Sequence, residues 1–331
     1  MKYFVTGATG FVGGRIAQML IDGGHEVIAL VRTPAKAQAL KDIGATIAEG
    51  DITDKERMCE PMTGVDGVFH VAAWYKVGAK DKHLAQGINV DGTRNVLELM
   101  KELNIPKGVY TSTLAANSDT KGEKKDETYR FTGKHLSEYD RTKAAAQFEV
   151  AEPMMKDGLP LVIVMPGMVY GRGDQSDIHD YIVQYIQGKL PVLPARTAVC
   201  AAHIDDVAHG HILAMEKGKA GETYIICGPC LTFIEFFKIA ESITEIRAPR
   251  ITIPSAVLKV GSRLMRVVER FVDLPTAYTS EGMRVTAGST YLGDNSKAKR
   301  ELGYDPRPVE VGLKETLAYE LEQLGVQPRR Y

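Results

Sequence analysis

Tyr139-Asp-Arg-Thr-Lys143 sets a phenol and a primary amine four residues apart, a spacing that puts both on one face of a helix. A free phenol titrates near about 10, too high for ready proton exchange at neutral pH. A neighbouring ammonium favours the phenolate and lowers that value. Such a pair can give a proton to a carbonyl oxygen, or take one from an alcohol, while a hydride moves to or from a dinucleotide. Upstream, Thr111-Ser-Thr113 closes an apolar run that begins at Gly108. Hydroxyls at the C-terminal end of a parallel strand lie where doubly wound sheets bind ligands.

The partner such chemistry needs is written at the N-terminus. Thr6-Gly-Ala-Thr-Gly-Phe-Val-Gly13 follows a strand-like run and opens a helix-like one. Gly7 allows the tight turn, Gly10 lets backbone approach a pyrophosphate, and Gly13 lets the helix pack closely on the sheet. The phosphates then meet free N–H groups of the first helical turn, from Thr9 through Phe11 and Val12. An NAD binder places an acidic residue at the end of the second strand. Here the sequence reads Leu30-Val-Arg-Thr-Pro-Ala-Lys36. A guanidinium at Arg32, helped by Lys36, matches a 2′-phosphate. The cofactor expected is therefore NADP(H), with NAD as the alternative.

For these groups to meet, the chain must fold as alternating strands and helices, and its first half reads that way. Strands are expected at 2–6, 26–31, 46–49, 65–71, 108–111 and 161–165. Helices are expected at 11–22, 34–42, 84–103 and 138–155. The fold class is α/β, a Rossmann doubly wound parallel sheet with a smaller, mostly helical C-terminal substrate domain. Residues 1–166, with return segments near 198–227, form the NADP-binding domain; 167–197 and 228–331 form the substrate-binding one. Residues 117–134 read most simply as a solvated loop, and 191–194 as a turn-rich connector. His203-Ile-Asp-Asp206 reads as a helix start with a carboxylate as its cap.

The chain has 331 residues, 44% apolar and 25% charged, with a net charge of −1. That balance does not favour nucleic acid or an anionic membrane as partner. There is no secretory signal and no apolar run long enough to span a bilayer. The stretch Ile251–Val272 is broken by Lys259, Arg263, Arg266, Glu269 and Arg270. It reads as an amphipathic helix packed on the protein, with a helix resting on lipid as the sharper alternative. Cys227-Gly-Pro-Cys230 lacks the second ligand pair of a zinc site and reads as two reduced thiols. No metal is expected, and the location expected is cytoplasmic. His70 and His203, without metal-ligand company, read as structural.

In these motifs the chain resembles the extended short-chain dehydrogenase/reductases, the NAD-dependent epimerase/dehydratase superfamily, over nearly its whole length. The marks are the glycine motif, Gly50-Asp51-Ile52, His70-Val-Ala-Ala73, Asn89-Val-Asp-Gly-Thr93, Tyr110-Thr-Ser-Thr113, the Tyr139/Lys143 pair, Pro166-Gly-Met-Val-Tyr-Gly171 and His203-Ile-Asp-Asp-Val-Ala208. The resemblance implies that Asp51 and Ile52 hold adenine, that Ala72, Ala73 and Thr111 line the cofactor, and that Pro166, Met168 and Val169 flank the nicotinamide amide. It makes Thr113, Tyr139 and Lys143 catalytic, with Tyr139 and Lys143 also on the nicotinamide ribose. The substrate wall would include Trp74, Tyr75, Ser112, Met168 and Tyr170, suggesting an apolar small-molecule carbonyl or alcohol. Leu-Val-Arg-x-Pro-x-Lys is typical of the dihydroflavonol 4-reductase and 3β-hydroxysteroid dehydrogenase branch, which implies a ketone or aldehyde reductase. A nucleotide-sugar epimerase is the alternative, with Arg172 and Arg196 as its phosphate contacts. A non-catalytic scaffold would have lost the Tyr or the Lys. Family habit implies a homodimer paired through helices 84–103 and 138–155.

Overall fold

The structure is a computed structural model, which describes residues 1–78, 82–272, 274 and 278–326. Seven strands build the main sheet: β1 (Lys2–Thr6), β2 (Glu26–Val31), β3 (Thr46–Glu49), β4 (Gly67–His70), β5 (Gly108–Thr111), β6 (Leu161–Pro166) and, after three strands outside this sheet, Thr223–Ile226. The outside strands are β7 (Met168–Tyr170), β8 (Val192–Pro194) and β9 (Ala198–His203), so Thr223–Ile226 is β10. The order is β10-β6-β5-β4-β1-β2-β3, with every pairing parallel. Thr6 and His70 share a register position on β1 and β4, and Thr111 sits opposite Val164 on β6. The chain reverses its direction of winding between β1 and β4, which opens a crevice at the C-terminal edge.

The inner strands are apolar on both faces because helices cover both. One core layer joins Phe4, Val68, Tyr110 and Ile163 to Val96, Leu97 and Met100 of the helix Gly92–Glu102. The other joins Val5, Phe69, Val109 and Val164 to Ile16, Leu20 and Val207. The helix expected at 84–103 begins at Lys82 and carries a wider π turn at Gly87–Asp91. The helix from Glu138 likewise passes through a π segment, Ala146–Ala151, before ending at Lys156. A helix not anticipated runs from Lys55 to Met62; Pro61 near its end obscured the pattern.

The C-terminal region is mostly helical, with β11 (Cys230–Thr232), β12 (Ile251–Ile253) and β13 (Thr290–Tyr291). Strand β9 pairs with β7, β11 and β13, and β8 pairs with β12. So 191–194 is no mere connector. The loop after β5 is likewise not simply solvated. Thr120 N–H donates to the Thr290 carbonyl and Lys125 N–H to that of Leu292, while Glu127 accepts from Ile225 N–H. A backbone that needs partners for its buried N–H and C=O groups found them on β10 and around β13.

Three other readings change. The helix Ile204–Lys217 is capped by the His203 ring, whose Nδ1 accepts from Asp205 N–H at 3.3 Å, and not by a carboxylate. Cys230 faces Cys200 across β9 and β11 and the two form a disulfide, so Cys227 and Cys230 are not a matched pair of reduced thiols. Cys227 is buried, and burial pushes its thiol up to about 12. Finally, the helix Ser255–Val268 packs on the helix Ser280–Val285, with Ser262 as its one buried residue. Its outer apolar side chains stay in solvent.

Candidate active site

The turn between β1 and the helix Phe11–Asp22 is built as a phosphate cradle. Gly7 has φ +74°, and a Cβ there would stand 2.7 Å from the Ala72 backbone nitrogen. A Cβ on Gly13 would stand 2.3 Å from the Gly7 carbonyl oxygen. Both contacts are with backbone, so strand, turn and helix can meet this closely only through glycine. Gly10 caps the helix without a side-chain bond, and no acid lies in the first turn. The free N–H groups and positive helix end suit an anion. Thr9 and Gly10 are exposed, and Phe11 and Val12 half-buried. The cradle thus fits a dinucleotide pyrophosphate.

At the end of β2, Arg32 is 73% exposed in its side chain, 3.9 Å from the Asp51 carboxylate. Lys36 is exposed nearby in sequence, in the 3₁₀ turn Pro34–Lys36. Asp51 also accepts from Thr53 N–H and hydroxyl. Ile52 is buried against Gly92, and its carbonyl accepts from Asn95. Ala72 and Ala73 follow β4, with Ala72 N–H donating to the Thr6 hydroxyl at 3.1 Å. Pro166 closes β6, and Met168 and Val169, half-buried, begin β7.

The helix Glu138–Ala145 starts on a Ser137 cap, whose hydroxyl accepts from Asp140 N–H at 3.0 Å. Four residues set its pose, and sequence reasoning assigned a role to none of them. Asp140 is buried and accepts from the hydroxyls of Ser137 and Ser118 at 2.6 and 2.8 Å, tying the helix to the loop after β5. Burial raises its carboxyl to about 6. Glu281, from the C-terminal region, accepts from Glu138 N–H at 2.7 Å and from Gly78 N–H at 2.5 Å. Asn89 bonds both backbone groups of Trp74 and donates to Thr142 at 2.9 Å. Tyr110 is fully buried and stacks on His70 with centroids 5.4 Å apart. Asn89 and Tyr110 left a signal, in the Asn-Val-Asp-Gly-Thr and Tyr-Thr-Ser-Thr motifs.

Tyr139 and Thr113 come together at the C-terminal edge of β5, where the Thr113 hydroxyl favours the ionised phenol. Thr113 also caps the following 3₁₀ turn, accepting from Ala115 N–H at 3.1 Å. The ring of Tyr75 packs edge-on against Tyr139, centroids 4.9 Å apart. Lys143 is 2% exposed, and its ammonium donates to the Tyr110 hydroxyl at 3.0 Å and the Thr111 carbonyl at 2.7 Å. Helix spacing alone predicts that this amine lowers the Tyr139 pKa. Instead burial holds the phenol above its ordinary value, Asp140 adds to the rise, and Thr113 opposes it. Tyr110 and the Thr111 carbonyl hold the amine, and among the described residues no cation offsets the burial of the phenol.

The substrate-wall residues divide. Tyr75 borders a groove with Val77, Gln175, Asp177, Leu274 and Thr279. Trp74 is half-buried, its backbone fixed by Asn89. Ser112 does not face this edge: it is buried, and its hydroxyl donates to Gln147. Tyr170 does not either, being 1% exposed among His203, Phe236 and the Val309 carbonyl. Alternation along β7 explains this, since Met168 and Tyr170 share one face and that face meets the C-terminal core. Arg172 stacks on Tyr319, and Arg196 is exposed.

His70 is structural, bonded to Thr6 at 2.8 Å and Thr93 at 3.0 Å; burial, reinforced by Lys143, lowers it to about 3. His203, Asp205 and Glu315 converge closely enough for a cation. The Arg307 guanidinium already lies 3.5 Å from Asp205 and 3.1 Å from Glu315, so those carboxylates have their counter-ion.

Burial lowers the Lys143 pKa from 10.5 to about 7. Below about 7 both folded and unfolded chains carry the proton, and the folded chain bears the cost of burying it. Between about 7 and 10.5 the unfolded chain still binds a proton that the folded chain has released. Stability of the protein without added dinucleotide should therefore rise with pH through that window, by up to roughly 1 kcal/mol per pH unit. Urea unfolding of wild type and Lys143→Met tests this: the variant should lack that part of the slope, and parallel slopes would count against a buried, proton-losing amine.

A parallel sheet wound both ways, a glycine cradle and a Tyr–Lys helix at the same edge define a dinucleotide-dependent enzyme fold. The chain belongs to the NAD dependent epimerase/dehydratase family, whose model matches residues 3–227. It is 30% identical over 323 residues to a putative dihydroflavonol 4-reductase of Synechocystis, covering 94% of this chain and 92% of that one. It is 27% identical to a 3-beta-hydroxysteroid dehydrogenase of Mycolicibacterium neoaurum, covering 96% and 91%. Among solved structures, that of gox2253 matches with a TM-score of 0.85 at 30% identity, covering 98% of this chain and 99% of that one.

Proposed function

We propose that the protein is an NADPH-dependent reductase of a ketone or aldehyde. The observation that carries this reading is the Tyr139 phenol set beside Thr113 at the sheet edge, with the buried Lys143 amine in the same helix. Bound along the glycine cradle, a nicotinamide dinucleotide supplies the hydride. Thr113 and Tyr139 then hold the substrate carbonyl oxygen by two hydroxyls, and Tyr139 gives it the proton. A phenol kept protonated by burial is in the right form to donate. Lys143, held by Tyr110 and the Thr111 carbonyl, would bind the nicotinamide ribose. Tyr75, packed on Tyr139, screens the phenol from water.

Arg32 supports NADP(H) over NAD. It is exposed at the end of β2 and its one anionic contact among the described residues is a long 3.9 Å to Asp51, so a 2′-phosphate can take the guanidinium without breaking a tight pair. Arg32→Ala should weaken NADPH binding about tenfold, the size of one charge-assisted contact, and leave NADH binding near wild type. Fluorescence titration with both cofactors checks it; equal losses for the two would remove the 2′-phosphate assignment.

The reaction itself is tested by following NADPH oxidation against aldehydes, aryl ketones, flavanonols and 3-oxosteroids, with UDP-sugars assayed separately for epimer formation. Turnover of a carbonyl supports the reading; epimer formation without net oxidation would replace it. The two relatives' names point to ring ketones and alcohols. The groove bordered by Tyr75 is mixed, with Val77 and Leu274 among its lining together with Gln175 and Asp177, which suits an apolar body bearing a polar group. The reading includes the domain division at Pro166 and a homodimer; the cytoplasmic location expected from reduced thiols loses that support with the Cys200–Cys230 disulfide. Support for the pairing is that helices 82–102 and 138–156 lie side by side, linked by Asn89–Thr142 and Gln86–Arg141.

A further inference from the structure

Val257, Val260, Leu264, Val267 and Phe271 recur at steps of three and four residues and so form one stripe along the helix Ser255–Val268 and the turn after it. All five are exposed: Val260 at 65%, Leu264 at 66% and Phe271 at 82%. The helix is not a detached element. Its inner side is fixed by Ser262 donating to the Ser280 carbonyl at 2.8 Å, and by Glu269 accepting from Ser280 N–H and hydroxyl at 2.8 and 2.7 Å. The stripe is therefore an apolar face left over after the core has been satisfied, and such a contiguous patch marks an interaction surface.

Charge identifies the occupant. Lys259, Arg263, Arg266 and Arg270 recur at the same steps one row over, on the flank away from the packed face, and all four are exposed. The one acid among them in sequence, Glu269, is turned inward to Ser280. An apolar stripe bordered by a row of cations is complementary to acyl chains bordered by anionic headgroups. A second copy fits less well, because antiparallel pairing about a two-fold axis would set the cationic row against itself. Among the described residues no helix is long and apolar enough to cross a membrane, so this helix can lie on a bilayer but not span it.

We propose that this helix is a membrane-surface dock: the stripe from Val257 to Phe271 seats at the acyl boundary of an anionic leaflet, with Lys259, Arg263, Arg266 and Arg270 on the lipid phosphates. The surface does not rest on the proposed reaction. Its position bears on the reaction all the same. The chain leaves the stripe at Val272, and Leu274 lines the groove that reaches Tyr75, so the leaflet would face the groove mouth and could deliver an apolar substrate to it. Net charge near zero gave no hint of this, because four cations on one row vanish in the whole-chain sum.

Co-sedimentation of the full chain with phosphatidylcholine–phosphatidylglycerol vesicles, and with pure phosphatidylcholine vesicles, tests the dock. Binding should be at least about tenfold tighter to the anionic vesicles and should weaken as salt rises. Leu264→Asp should lower it at least about tenfold, and so should replacing the four basic residues together by Gln. Both variants change exposed side chains and should melt as wild type does. Absent or charge-independent vesicle binding would overturn the proposal, as would variants that bind like wild type. So would a Leu264→Asp variant that turns a dimer into monomers while the wild type ignores vesicles, since the face would then join two copies.

Discussion

Tyr139→Phe should lower kcat at least about a hundredfold, the usual worth of a positioned proton donor, while the NADPH dissociation constant stays within about twofold. The substitution removes one oxygen and keeps the ring that packs against Tyr75. Thr113 keeps its bond from Ala115 N–H, so the site should hold its shape. A structural tyrosine would give the opposite pattern, with melting temperature falling and turnover little changed in the surviving folded fraction. Steady-state kinetics with titration of the cofactor separates the two.

Gly13→Ala should be the most damaging change in the cofactor cradle, and its sign is informative. On helix propensity alone, Ala in place of Gly stabilises by about 1 kcal/mol. At Gly13 the new Cβ would lie 2.3 Å from the Gly7 carbonyl oxygen and 2.7 Å from its carbon. Backbone on both sides cannot yield without parting the turn from the helix, and overpacking of this kind costs about 1–3 kcal/mol. Overpacking should win, so the melting temperature should fall. Because the parted turn carries the phosphate donors, NADPH affinity should drop at least about tenfold. Gly87→Ala is the control: it lies in a helix, with nothing within 4 Å of its Cβ, and should leave stability equal or higher. A Gly13→Ala protein as stable as that control, with normal cofactor binding, would mean the close approach is not needed.

What could be read in advance follows from how local each signal is. The glycine turn, the Tyr–Lys spacing and the strand ending in Thr113 are each fixed within a dozen residues, and the structure brings them to one sheet edge. Buried parallel strands announce themselves as apolar runs, which is why β1, β2 and β5 fell where expected. The groups that set the pose of the Tyr139 helix are long-range. Glu281 reaches Glu138 and Gly78 from far along the chain, and nothing in its own neighbourhood marks it. Ser112 and Thr113 look interchangeable in sequence; strand alternation sends one to Gln147 and the other to Tyr139. Tyr170 was misjudged for the same reason. Cys200 and Cys230 could be paired only once β9 and β11 were known to run antiparallel. The helix Ser255–Val268 was legible as amphipathic, but periodicity cannot say whether its apolar face meets protein or solvent.

The direct test of the central claim is a crystal structure of the protein grown with NADP+. It should show the pyrophosphate on the first turn of the helix Phe11–Asp22, the 2′-phosphate beside Arg32, and the nicotinamide ring within contact of the Tyr139 hydroxyl with its ribose on Lys143. A dinucleotide bound elsewhere, or seated in the cradle with its nicotinamide turned away from Tyr139, would contradict the account.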